Sequence, residues 1–98
     1  MKGVISAGSI PTAQAGARVL ADGGNAIDAS IAAAAVLAVV EPQMTGIGGD
    51  CFILFCPKGS SDVKAYNGSG RSPKAATLAH YQDLGVQKIE ATSVDSVT

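Results

Sequence analysis

Few residues of this chain carry chemistry, and the most suggestive of them surround one arginine. Gly68-Ser69-Gly70-Arg71 sets a guanidinium beside glycine-flanked backbone. Flexible N–H groups next to a planar, bidentate fork make a seat for a carboxylate. The same residues also suit a surface turn with a solvated arginine, and spacing leaves both readings open. A second glycine run, Gly46-Ile47-Gly48-Gly49, is not a phosphate loop. No Gly-Lys-Ser/Thr follows it, and Cys51 stands where a GxGxxG motif needs its third glycine. Its glycines are expected to let the chain turn sharply and approach other backbone closely between two buried elements.

The remaining reactive side chains do not assemble into a catalytic set. His80 has Tyr81 beside it but no Cys or Asp at catalytic spacing, so it reads as a surface histidine. Asp28, Glu41 and Asp50 are not spaced as an acid/base pair, and Asp28 is better used near a helix start. Cys51 and Cys56 match neither a CxxC redox pair nor a zinc spacing. On one strand they would point to opposite faces and could not bridge, so buried free thiols are expected. No catalytic residue, metal ligand or cofactor site is assigned within the chain.

The elements that would position these residues follow from periodicity and punctuation. Gly3 to Ala7 is a short apolar run, read as a strand. Ser9-Ile10-Pro11 opens a helix, since proline suits the first turn, where its missing N–H costs nothing. Gly23-Gly24 stops that helix, because glycine takes the left-handed position past a helix end without steric cost. Asn25 caps a second helix, Ala26 to Val40, which is apolar on every side and so must be covered on more than one. Glu41-Pro42 ends it. Cys51 to Cys56 reads as a buried strand, and Val63 to Tyr66 returns as its hairpin partner after a turn rich in glycine and serine. Thr77 caps a short helix, Leu78 to Leu84, closed by Gly85. The order is β-α-α-β-β-α, an α+β arrangement over residues 1–98 with no linker and no internal boundary.

Composition narrows the classes. Of the 98 residues 47% are hydrophobic and 15% charged, a globular rather than a disordered balance. A net charge of −1, with no Lys/Arg cluster, excludes a nucleic-acid footprint. The longest apolar stretch, Ala29 to Val40, is shorter than the roughly 20 residues of a membrane span. No apolar leader is visible after Met1, which reads as cytoplasmic by default. The second helix is more apolar than the other elements can cover, and Ser96-Val97-Thr98 carries no terminating signal. The sequence reads as a piece of something larger.

The residues themselves go further. Gln14-Ala15-Gly16 through Leu20, then Gly23-Gly24-Asn25-Ala26-Ile27-Asp28-Ala29, closely resembles the opening of the γ-glutamyltransferases (γ-glutamyltranspeptidases, or glutathione hydrolases). The resemblance continues through Val39-Val40-Glu41-Pro42, Thr45-Gly46-Ile47-Gly48-Gly49 and Phe52, and Ser96-Val97-Thr98 is similar to the start of the family's "SVTVPG" segment. It implies the N-terminal part of a large subunit, within the αββα sandwich of the N-terminal-nucleophile hydrolases. It also implies a precursor that cleaves itself into large and small subunits, so the chain's partners would be the rest of its own large subunit and the small subunit. The implied nucleophile is a threonine at the new N-terminus of the small subunit, beyond Thr98, with its own α-amino group as base.

On this resemblance the chain holds scaffold and at most one substrate contact, and alone it is expected to be inactive. Gly23, Gly24, Gly46, Gly48 and Gly49 are its structural glycines. The family grips the α-carboxylate of the γ-glutamyl group with an arginine in a "DGRExAP"-like loop. Here the loop reads Asn67-Gly68-Ser69-Gly70-Arg71-Ser72-Pro73, so alignment on Pro73 puts Ser69 at the arginine position and Arg71 two residues later. This departure resembles a branch with acylase-like relatives, which would act on a non-glutathione amide; a non-catalytic scaffold module is the remaining alternative. Family members are often periplasmic or secreted.

Overall fold

The computed structural model describes residues 3–88 and divides them between two compact units, Met1–Asp50 and Cys51–Thr98. No composition break marks that division. It arises because one unit is a helix pair and the other is organised round a hairpin, so each makes its contacts locally.

The first unit holds α1 (Ile10–Ala21) and α2 (Ala26–Val40). Ser9 is the N-cap of α1, but its hydroxyl bonds the Thr12 hydroxyl at 2.6 Å rather than a backbone N–H. The end of α1 is a Schellman motif: Gly24 N–H donates to Val19 C=O at 2.8 Å and Gly23 N–H to Leu20 C=O at 3.2 Å. Gly23 there has φ +91°, which only glycine adopts without strain. One residue later Asn25 and Asp28 form a reciprocal capping box, with Asp28 N–H on Asn25 Oδ1 at 2.9 Å. Two helices joined by so short a link must fold back on one another. Where they meet the side chains are small: Thr12, Gly16, Ala29 and Ala33 are the buried residues.

The second unit holds β1 (Cys51–Phe55), β2 (Lys64–Gly68) and α3 (Leu78–Asp83). The strands pair antiparallel, with Phe52 opposite Asn67 and Ile53 opposite Tyr66. β2 runs two residues further than expected, because Cys51 and Phe52 offer partners to Gly68 and Asn67. Thr77 Oγ1 accepts His80 N–H at 3.2 Å, capping α3. A second Schellman motif closes it, with Val86 N–H on Tyr81 C=O at 2.9 Å and Gly85 at φ +70°.

Two expectations are corrected. The opening strand, and with it the first β of β-α-α-β-β-α, is not formed: residues 3–7 join no sheet. Ile5 packs against Gly16, and Gly3 lies against the Leu20 side chain, so this segment lines α1 instead of a ladder. Cys51 and Cys56 are free but exposed, not buried. A two-stranded sheet has two faces to cover, and the side chains of this one stay largely open: Phe52 is 67% exposed and Leu54 77%. The segment Ser96-Val97-Thr98 lies outside the described residues.

Candidate substrate-binding loop

The arginine loop is built from the end of β2. Gly68 sits opposite Cys51 so closely that a Cβ there would lie 2.8 Å from the Cys51 carbonyl oxygen. That approach requires glycine. Immediately before it, Asn67 Oδ1 accepts the Ser69 N–H at 3.1 Å, an Asx turn that bends the chain out of the ladder. Gly70 follows at φ +73°. The Asx turn and the left-handed Gly70 thus carry the chain out of the ladder at Ser69 and Arg71, before Ala76 N–H closes a turn on Pro73 C=O at 3.0 Å and leads into α3.

Arg71 is exposed, and no ion pair holds it among the described residues. Between Ser69 and Ala76 the charged residues are Arg71 and Lys74, both cations. A guanidinium with its fork unused, in a stretch without a carboxylate, is competent to take an anionic ligand bidentately. Ser69 is exposed on the same loop. His80 is also exposed, its ring edge-on to Tyr81 at 5.3 Å between centroids, as expected of a surface histidine.

The glycines of the first unit fall into two kinds. Gly23 and Gly24 are demanded locally: the first by its φ, the second because a Cβ would lie 2.9 Å from the Val19 carbonyl oxygen. Gly46 and Gly48 are different. Neither has a positive φ, and a Cβ on either would meet nothing within 4 Å. Gly49 makes only an ordinary contact, 3.5 Å from Gly46 O. Beside them Thr45 Oγ1 is buried without a hydrogen-bond partner among the described residues. The close approach expected of the Gly46–Gly49 run is instead found at Gly16, where a Cβ would lie 3.1 Å from Ala29 O and collide with Ile5 Cδ1. Gly16 stands in the Gln14-Ala15-Gly16 run that carries the family resemblance, but nothing local in that run announces the close approach. Asn67 positions the arginine loop through its Asx turn, and its signal in the sequence is Asn-Gly-Ser, which is Asx-turn chemistry.

Among the described residues no group of His, Cys, Asp and Glu is placed to hold a metal ion. Nor does any helix there have the length and apolarity to cross a membrane.

Comparison with known proteins places this arrangement in context. The profile of the gamma-glutamyltranspeptidase family matches residues 12–98. The glutathione hydrolase-like YwrD proenzyme of Bacillus subtilis is 51% identical over 83 residues, covering 85% of this chain and 15% of that protein. The oxamate amidohydrolase proenzyme of Klebsiella pneumoniae is 46% identical over 68 residues, covering 69% of this chain and 13% of that one. Among solved structures, a gamma-glutamyltranspeptidase from Pseudomonas nitroreducens complexed with L-DON superposes with a TM-score of 0.78 at 34% identity. That match takes in 94% of this chain and 27% of the other. The chain thus spans about one-seventh of the length of these curated relatives.

Proposed function

The chain belongs to the gamma-glutamyltranspeptidase family, and we infer that it supplies scaffold and one carboxylate-reading loop to an enzyme of that activity. The full protein transfers or hydrolyses γ-glutamyl groups of glutathione-type amides. A threonine outside this chain attacks the amide carbonyl, its α-amino group taking the proton, and the acyl-enzyme is released to water or to an acceptor amine. The proenzyme names of the relatives support a precursor cleaved into two subunits, with this chain in the larger. Arg71 binds the substrate carboxylate remote from the reacting bond and so fixes which amide is presented to the nucleophile. The observation that carries this reading is the unpaired, exposed Arg71 on a cationic loop, in a chain matched by the family over residues 12–98.

A second reading has its own support. One relative is named an oxamate amidohydrolase, so an enzyme cleaving the amide of another small carboxylic acid fits the displaced arginine equally well. Both substrate classes join a carboxylate to an amide and differ in the distance between them. Full-length protein assayed on a chromogenic γ-glutamyl anilide and on oxamate separates the two. Turnover of the anilide, with none by residues 1–98 alone, is the expected result. Turnover of oxamate only would move the assignment to the second reading.

A further inference from the structure

We propose that Asn67 is a site of spontaneous deamidation, through attack by the Gly68 amide nitrogen, that places a new negative charge at the root of the Arg71 loop. The chain has two asparagines, and they sit in opposite situations. Asn25 precedes Ala26, whose Cβ shields the following peptide nitrogen, and its side chain is fixed in the capping box at the start of α2. Asn67 precedes Gly68, which has no Cβ and cannot acquire one without striking Cys51 O. The pairing of the strands thus keeps glycine at position 68, and because Asn67 is the penultimate residue of β2, only the end of the ladder must open for its backbone to turn toward attack.

The local hydrogen bond favours the step. Ser69 N–H donates to Asn67 Oδ1 at 3.1 Å, and the ring that bond closes contains both reacting atoms, Asn67 Cγ and Gly68 N. The same bond polarises the Cγ carbonyl toward attack. Gly68 N loses its proton to solvent hydroxide and bonds Cγ; Nδ2 then takes a proton from water as the Cγ–Nδ2 bond breaks, so that ammonia leaves and hydroxide is regenerated. Water then opens the succinimide at either carbonyl, giving an aspartyl or an isoaspartyl linkage. Each product carries one carboxylate, ionised at neutral pH, four residues before Arg71. The inhibitory consequence rests on Arg71 reading an anionic substrate; the modification does not.

Full-length protein aged at neutral and mildly alkaline pH, digested and followed by peptide mass spectrometry, tests both. Asn67 should convert faster than Asn25, since a Cβ hinders only the latter's neighbour, and faster at the higher pH, with isoaspartyl product present. Conversion no faster than at Asn25, or a product wholly aspartyl, would overturn the site. In the kinetic arm, aged wild type and Asn67→Asp should lose kcat/KM on the γ-glutamyl anilide but not on its analogue lacking the α-carboxylate. Unchanged rates in a protein that does deamidate would retire the role of Arg71 and leave the modification standing.

Discussion

Arg71 and Gly16 show how differently single residues act in this chain. Arg71 does nothing for stability here: it is exposed and pairs with no acid among the described residues. On the proposed reading its value arises only when a carboxylate is bound and water leaves the pair. Removing one partner of such a desolvated pair typically costs about 3–5 kcal/mol, so Arg71→Ala in the full-length enzyme should lower kcat/KM on carboxylate-bearing substrates by about a hundredfold or more. Arg71→Lys should recover part of this, a point charge being a poorer match than the fork. Steady-state kinetics on substrates with and without the α-carboxylate checks both, and equal discrimination by wild type and alanine variant would reject the assignment. Gly16 is the reverse case, a residue whose role is packing. Its missing Cβ is the space through which α1 meets Ala29 O and Ile5. Gly16→Val should therefore destabilise the full-length protein by about 1–3 kcal/mol through overpacking, read as a lowered Tm or failed self-cleavage. A Cβ at Gly48 meets no atom within 4 Å, so a processing defect in Gly48→Ala would report contacts made with the rest of the protein.

At the level of elements, the helix termini are the best specified parts. Gly23 and Gly85 end α1 and α3 with the same pair of hydrogen bonds, and Asn25 starts α2 two residues after α1 has been stopped. This compact stop-and-start is what directs α2 back along α1. Asn25→Ala removes the acceptor for Asp28 N–H and should cost about 1 kcal/mol, while Asn25→Asp should be nearly neutral because aspartate caps as well. Chemical denaturation of the full-length variants measures the difference; an alanine variant as stable as the aspartate one would show that α2 is fixed by packing alone. Within α2 the single hydroxyl, Ser30, bonds back to Ala26 C=O at 2.8 Å and so adds no unsatisfied polar group to an apolar helix.

Among the described residues the exposed apolar surface is out of proportion to the core. Ala29 and Ala33 are the buried hydrophobic residues there, whereas Ile31, Val39, Phe52 and Leu54 are each more than half exposed. Two buried alanines contribute little transfer free energy, and the ordering of the backbone costs about 1–2 kcal/mol per residue. Residues 1–98 expressed alone should consequently bind a hydrophobic dye, lack fixed near-ultraviolet dichroism and aggregate, as molten species do. A sharp, cooperative calorimetric melt of the monomer would show that the two units suffice on their own. The exposed thiols of Cys51 and Cys56 belong to the same picture: a strand apolar on both faces is written for two neighbours, and the hairpin supplies neither.

What the sequence by itself determined is what depends on near neighbours. Proline at the start of α1, the Gly23-Gly24-Asn25 junction, the bounds Ala26–Val40 and the Thr77 cap are all legible, because each is a contest among a few adjacent backbone donors and acceptors. The family was legible for the same reason, its signature lying in these junctions. Tertiary structure decided what depends on partners distant in sequence. Residues 3–7 have strand composition but pack on α1, since a strand needs a ladder and the described residues offer them none. The extra length of β2 was set by Cys51 and Phe52 across the ladder. Which glycines must be glycine was likewise settled by what lies opposite them, Ala29 O at Gly16 and Cys51 O at Gly68, because no local pattern encodes how closely another segment approaches.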